Sequence, residues 1–245
     1  MNVPAHATLQ KEKMLSSDFP GPAREYLEEK TGALVAYFIA SGGDQVPSSR
    51  IQEEQFSDDY RAYGREVGRI ASECLRNLKK DEGTGLRFFT RTFVGKSNKA
   101  GLDRLAEALA VSTICHQLGG RGTKEGKEAA KSYGFSSVYQ VTAILNRSKF
   151  PEERSLELKT LALGNVGFLF APFEMFGASG KQIKADSPYP MTFIVSCSQN
   201  HDGYMPTQRG WELGCYESQI TRFARGTAEI LEKEYVSLLT EMKNS

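Results

Sequence analysis

A short polar segment in the last third of the chain carries side chains that could do chemistry. Asn200-His201-Asp202-Gly203-Tyr204 comes two residues after Met191–Cys197, an apolar run with the length and composition of a strand. In open α/β sheets, binding and catalytic sites form outside the carboxyl ends of strands. The chain has only three histidines, and His6 stands in a similar polar context near the N-terminus. These residues leave two interpretations open: a metal site, or a surface loop that carries a buried tyrosine.

Two acidic residues follow other apolar runs and are candidates for the same site. Glu174 comes shortly after the predicted strand Val166–Ala171, and Asp44 ends a glycine-containing turn after Ala33–Ala40. His, Glu and Tyr side chains provide the mixed nitrogen and oxygen ligands that Zn²⁺ accepts. The candidates are far apart along the chain, so their spacing alone does not identify a site.

Each candidate also has a structural explanation. An acid such as Glu174 is favoured at a helix N-terminus, and Asp44 suits a position that stabilises a turn. Tyr204 also fits a core tyrosine whose hydroxyl is hydrogen-bonded. His6 also fits a disordered terminal residue, and His201 either assists the site or faces solvent.

The apolar periodicity predicts one α/β domain over residues 1–245, with a mixed β-sheet flanked by helices. The predicted strands are Ala33–Ala40, Leu86–Val94, Val138–Leu145, Leu156–Leu163, Val166–Ala171 and Met191–Cys197, with a tight hairpin at Gly164–Gly167. The predicted helices are Ala23–Lys30, Tyr63–Leu78, Leu102–Leu118, Lys124–Tyr133 and Phe176–Lys184, and a closing helix with Leu231, Tyr235, Leu238 and Met242 on one stripe.

Composition excludes several classes of protein. A net charge of +1, with 40% hydrophobic and 25% charged residues, is typical of a soluble globular protein and argues against nucleic-acid binding. No apolar run is long enough to cross a membrane, and residues 1–15 lack the apolar core of a signal peptide. The four cysteines form no CxxC pair, which argues against a zinc knuckle and fits a reducing, cytoplasmic location. The oligomeric state stays open.

Four stretches of sequence carry a resemblance to a known family. They are Asn2–Thr8, Ser17–Gly21, Phe38–Pro47, and Ala171–Lys184 together with Asn200–Glu217. In this order they resemble the catalytic domain of the neutral/alkaline, non-lysosomal ceramidases, and more closely their uncharacterised bacterial relatives. The stretch between residues 50 and 150 matches poorly. Each motif is moderately specific, and their shared order strengthens the resemblance.

The resemblance implies a zinc-dependent hydrolase that cleaves an amide (N-acyl) bond or a related carboxylic derivative. Carried over position by position, it implies that His6, Glu174 and Tyr204 are ligands of a Zn²⁺ cofactor. Asp44 matches the acid of the family's Gly-Asp turn, and we assign His201 an assisting catalytic role. The implied partner is a small-molecule or lipid-like amide, which would release a fatty acid and an amine.

Two departures from the family's pattern lower the activity that we expect. The family has a further pair of histidines upstream of the segment that matches His6, and the chain begins after that point. Val46 stands where the family has a serine. The resemblance therefore predicts an N-terminally truncated or degenerate member with weak zinc binding and little amide hydrolysis. The alternative is a catalytically inactive or fragmentary member that keeps the fold for binding.

Overall fold

A four-stranded mixed sheet forms the centre of the computed structural model, which describes residues 1–47 and 59–245. The strands are β1 (Asn2–Val3), β2 (Phe38–Ile39), β3 (Leu86–Lys96), β4 (Glu153–Leu163), β5 (Val166–Ala171), β6 (Glu174–Met175), β7 (Met191–Ser196) and β8 (Tyr204–Met205). The central sheet has the order β3-β4-β5-β7, in which β5 and β7 are parallel and the other neighbours are antiparallel. The predicted mixed sheet is confirmed.

Two small parallel sheets lie beside the central one. β1 pairs with β2, and β6 pairs with β8. The predicted hairpin between β4 and β5 is also present, because Leu163 and Val166 are register partners across Gly164-Asn165. Gly164 has a φ of 56°, a left-handed conformation that glycine adopts without steric cost. The second small sheet matters most for the candidate site, since it contains Glu174 and Tyr204.

Helices flank the sheets in the single compact α/β domain. They are α1 (Pro20–Thr31), α2 (Tyr60–Cys74), α3 (Leu105–Gln117), α4 (Lys124–Ser132), α5 (Val138–Arg147), α6 (Gly177–Asp186), α7 (Gln208–Leu213), α8 (Tyr216–Ile220) and α9 (Thr227–Asn244). The predicted helices at α1, α2, α3, α4, α6 and α9 are confirmed. Within the described ranges, no helix is long and apolar enough to cross a membrane.

The main core lies between α9 and one face of the central sheet. Buried and less buried residues alternate along β4, β5 and β7, as expected for strands with one well-covered face. The predicted stripe of α9 is buried against this face; its members are Leu231, Tyr235, Leu238 and Met242. A second cluster of buried residues joins α3, α4 and α5, and includes Val111, Phe135 and Ile144.

Tyr235 has a polar role in this core that can be measured. Its hydroxyl donates a 2.8 Å hydrogen bond to the carbonyl oxygen of Phe170 in β5, and the side chain is fully buried. We expect Tyr235→Phe to lower the free energy of unfolding in urea by about 1 kcal/mol, the usual net value of one such bond. Tyr133→Phe is the control, because Tyr133 is exposed. Equal stability of Tyr235→Phe and the wild type would contradict this role.

The prediction of a strand at Val138–Leu145 is wrong, because this segment forms α5. The side chain of Ser137 caps the helix by accepting a hydrogen bond from the Gln140 backbone N–H at 3.2 Å. Val141 and Ile144 are buried on one helical face, in the cluster with α3 and α4. A short apolar segment is compatible with both periods, and here the cap and the neighbouring helices favour the helix.

The predicted strand at Ala33–Ala40 is correct only for Phe38–Ile39. These two residues pair with β1, which itself contains only two residues. Leu34 is 96% exposed, so this part of the apolar run is not buried. The short partner strand explains the difference, because a strand needs a backbone neighbour along its whole length.

Candidate functional site

The pairing of β6 with β8 brings two of the predicted ligands side by side. Glu174 and Tyr204 are register partners in this parallel pair. The Glu174 N–H donates to the carbonyl oxygen of Gly203 at 2.9 Å, and the Asp202 N–H donates to that of Pro172 at 2.8 Å. The polar segment that follows β7 is therefore bound to the segment that follows β5, which places both near the carboxyl ends of neighbouring strands.

The turn at Ser41–Asp44 connects His6 to Glu174. The backbone N–H of His6 donates to the carbonyl oxygen of Gln45 at 3.0 Å, while the N–H of Gly43 donates to that of Met175 at 2.8 Å. The side chain of Asn2 fixes the N-terminal segment to β7 through Ile194, accepting from its N–H at 3.2 Å and donating to its carbonyl oxygen at 2.7 Å. Two contacts thus hold the N-terminal segment in place: Asn2 binds it to β7, and His6 binds it to the end of the turn.

Glu174 lies at the centre of the resulting cluster. Its Oε2 is 3.3 Å from Nε2 of His6, and its Oε1 is 2.9 Å from Nε2 of His201. The glutamate is 8% exposed, whereas the side chain of His201 is 59% exposed. A buried carboxylate needs such partners, because burial without them is costly. His201 was expected either to assist the site or to face solvent, and it contacts Glu174 while its side chain stays largely exposed.

Tyr204 completes the cluster, which we call the Glu174 cluster (His6, Glu174, His201 and Tyr204). Burial, together with the charges of Glu174 and Glu217 and the neighbouring Tyr216, raises the pKa of the Tyr204 phenol to about 12. This pKa lies far above neutral pH, so the phenol keeps its proton there. Its ring meets that of His6 edge to face, with centroids 6.4 Å apart.

Asp44 lies beside the cluster and makes a different contact. Its Oδ1 accepts a 2.6 Å hydrogen bond from the backbone N–H of Gly177, the first residue of α6, and the residue is exposed. Among the described residues it has no ion pair or side-chain hydrogen bond with the Glu174 cluster. This contact gives Asp44 a structural role at a helix N-terminus, beside the turn-stabilising role offered as its alternative, and the catalytic role of Asp44 stays a prediction.

The donor set of the cluster fits zinc in chemical type. His6 offers an imidazole nitrogen, Glu174 a carboxylate oxygen and Tyr204 a phenol oxygen, which belong to the ligand classes that zinc accepts. The 3.3 Å between His6 Nε2 and Glu174 Oε2 equals the separation of about 3.3 Å between neighbouring ligands in a tetrahedron with bonds of about 2.0 Å. In the part of the chain that the structure describes, no group of three or more His, Cys, Asp and Glu side chains is arranged to hold a metal. A zinc site here would therefore depend on the phenol of Tyr204.

A cavity of about 680 Å³ opens beside the cluster, with His201 and Tyr204 in its wall. The sequence did not point to most of its other lining residues. The missed side chains are Tyr139 and Lys149 from the region of α5, Arg154 at the start of β4, and Arg222 after α8. The error at residues 138–145 hid Tyr139, and the three cations are too far apart along the chain to form a motif. We name this space the His201 cavity.

Asp202 is the residue of the polar segment that indicates cationic side chains nearby. It is buried, and its Oδ1 accepts from Arg154 Nη2 at 3.0 Å and from Arg222 Nη1 at 3.2 Å. Asn200 donates to its other oxygen at 3.0 Å. A buried aspartate in a polar motif requires a cationic partner, although the sequence does not tell which arginine supplies it.

Of the comparisons with known proteins, only the one with solved structures gives a match. No family model matches the chain, and no curated protein sequence does. Neutral ceramidase from Pseudomonas aeruginosa aligns with a TM-score of 0.61 at 15% identity, over 98% of this chain and 43% of that chain. A ceramidase complexed with C2 aligns with a TM-score of 0.62 at 14% identity, over 98% of this chain and 45% of that chain.

These similarities show that the chain has a ceramidase-like fold. They cover 98% of its residues, although the stretch between residues 50 and 150 matches the family poorly in sequence. The chain spans less than half the length of either solved ceramidase. The resemblance drawn from the motifs is therefore confirmed at the level of the fold.

Proposed function

We propose that this chain is a zinc-dependent hydrolase of the neutral ceramidase-like type, which cleaves an amide (N-acyl) bond or a related carboxylic derivative. One observation carries the proposal: Glu174 is buried between the imidazoles of His6 and His201, with the phenol of Tyr204 against it. The ceramidase-like fold supports the same reaction class by analogy. Because the chain corresponds to less than half of the solved ceramidases, the activity and substrates of those proteins are part of the proposal.

His6, Glu174 and Tyr204 would hold the zinc ion. When bound, zinc would supply Lewis-acid polarisation of the scissile carbonyl and a lowered pKa of a bound water. The protein's own contribution is to fix the ligands: the turn at Gly43 and the pairing of β6 with β8 set the distance between His6, Glu174 and Tyr204. Fixed ligands reduce the reorganisation that the reaction requires.

His201 would handle the proton. Its imidazole lines the His201 cavity, and Nε2 contacts Glu174 at 2.9 Å. A carboxylate in this position orients the ring and favours one tautomer, which lets the imidazole take a proton from water and give it to the leaving amine. The products would be a carboxylic acid and an amine.

The second candidate function is a binding domain that keeps the fold without catalysis. The specific observation in its favour is that Asp44 contacts the helix backbone at Gly177 instead of the Glu174 cluster. Val46, which stands where the resemblance places a serine, points in the same direction. Under this alternative the chain would still bind an amide in the His201 cavity but would release it unchanged.

The two functions are separated by hydrolysis assays on the metal-free and zinc-loaded chain. We expect zinc loading to produce slow release of amine from N-acyl substrates, and chelation to abolish it. Because general acid–base assistance contributes about 10²–10⁴-fold, His201→Ala should lower the zinc-dependent rate by at least about 100-fold. His116→Ala is the matched control, since His116 lies at the end of α3, away from the cluster. Zinc binding without any amine release would favour the binding domain.

A further inference from the structure

The His201 cavity has a cationic wall. Lys149, Arg154 and Arg222 line it, and no aspartate or glutamate does so within the described residues. The whole chain is nearly balanced, with 31 Lys and Arg against 30 Asp and Glu. The positive charge is therefore a local property of the cavity, and a cavity of this kind concentrates anions.

Asp202 neutralises only part of this charge. It pairs with both Arg154 and Arg222, so the two guanidinium groups share one carboxylate. Arg154 also leaves its Nε without an acceptor in the described part of the chain. Lys149 is exposed and has no ion-pair partner among the described residues. Counting these four side chains, the wall carries two uncompensated positive charges.

The cationic wall and the Glu174 cluster belong to one structure. Asp202 follows His201 directly in the chain, and Arg222 donates to the carbonyl oxygen of His201 at 3.4 Å as well as to Asp202. The guanidinium groups are therefore fixed relative to the imidazole that contacts Glu174. A ligand whose charged group binds the cationic wall would therefore have its amide bond in the same cavity, close to the Glu174 cluster.

Aromatic rings form another part of the cavity wall. Tyr216 meets Tyr204 and Tyr139 edge to face, with ring centroids 6.2 Å and 5.5 Å apart. Phe150 also lines the cavity. The volume of about 680 Å³ falls within the roughly 300–1,000 Å³ of ordinary small-molecule sites. The cavity thus combines an apolar surface for a short organic group with a charged surface for an anion.

We propose that the amide accepted at this site carries an anionic oxygen group, a carboxylate or a phosphate, which pairs with Lys149 and the arginines of the cationic wall. The proposal rests on the proposed amide hydrolysis for the bond that is cleaved, and on the cavity alone for the group that is recognised. Arginine forks and a mobile lysine suit both oxyanions. An N-acyl amino acid or an N-acyl aminoalkyl phosphate has the required chemistry.

Three probes with the same acyl chain test this recognition: N-hexanoylglycine, its neutral isostere N-hexanoylglycinamide, and N-hexanoyl-O-phosphoethanolamine. We expect the dissociation constant of at least one anionic probe, measured by NMR titration of the zinc-loaded chain at low salt, to be at least about tenfold below that of the glycinamide. Lys149→Gln should remove most of this preference, whereas Lys181→Gln, at an exposed lysine of α6, should keep it. The anionic probe with the lower dissociation constant shows whether the wall prefers a carboxylate or a phosphate.

The experiment distinguishes a failure of the anion proposal from a failure of the proposed hydrolysis. Equal affinities for all three probes, no measurable binding of either anionic probe, or an unchanged preference in Lys149→Gln would overturn the anion proposal. A preserved preference without zinc-dependent hydrolysis of any probe would leave anion recognition standing and refute the proposed reaction. Hydrolysis of the glycinamide alone would refute the anion proposal and keep the reaction.

Discussion

Replacing Glu174 with glutamine is expected to lower zinc affinity by at least about 100-fold, because even outer-shell partners of a metal are worth 10–100-fold. The amide keeps the size of the side chain but loses the negative charge that pairs with His6 and His201. Zinc-dependent hydrolysis should fall below detection. Zinc affinity is measured by competition with a chelator of known affinity.

A matched control separates this effect from a general change in stability. Glu82→Gln makes the same chemical change at a side chain that is 80% exposed, and it should leave zinc affinity unchanged. Circular dichroism of Glu174→Gln should retain the wild-type spectrum. If Glu174→Gln and Glu82→Gln bind zinc equally well, Glu174 is not a ligand.

Gly43→Ala is expected to disrupt the Glu174 cluster, although Gly43 is not one of its four residues. A Cβ at this position would lie 2.7 Å from the carbonyl oxygen of Glu174. Because this oxygen belongs to the backbone, no side-chain rotation can relieve the clash. The turn that holds His6 must then move away from β6, which separates His6 from Glu174. We expect a loss of about 1–3 kcal/mol in the free energy of unfolding, the usual cost of overpacking. Zinc affinity should fall by about tenfold or more through the misplaced imidazole.

Gly122→Ala is the control for this steric argument, because nothing lies within 4 Å of a Cβ at Gly122. Its unfolding curve and zinc affinity should match those of the wild type. Should Gly43→Ala behave like Gly122→Ala in both measurements, the close approach of the turn to β6 does not set the geometry of the site.

The order of motifs predicted the cluster better than any local pattern did. The motifs place His6, Glu174 and Tyr204 in one site, although His6 is more than a hundred residues from the other two along the chain, and the folded chain brings the three together. Their roles as zinc ligands remain predictions. Asp44 was proposed for the same site from a turn pattern, and that pattern is equally compatible with the helix contact that the structure shows.

The regular elements were predictable where periodicity and end signals agreed. The stripe of α9 and the hairpin between β4 and β5 are examples, since each has an apolar period and a clear boundary. Val138–Leu145 lacked such agreement, because its apolar residues suit either period and its neighbours decide the outcome. The cationic wall was predictable only through Asp202, because the two arginines that pair with it come from distant segments and are brought together by tertiary contacts.

Anomalous X-ray diffraction at the zinc absorption edge, from crystals of the zinc-loaded chain, tests the central claim most directly. We expect one anomalous peak at about 2.0–2.2 Å from Nε2 of His6, a carboxylate oxygen of Glu174 and the phenol oxygen of Tyr204. A peak that lacks any of these three contacts, or no peak within the Glu174 cluster, would contradict it.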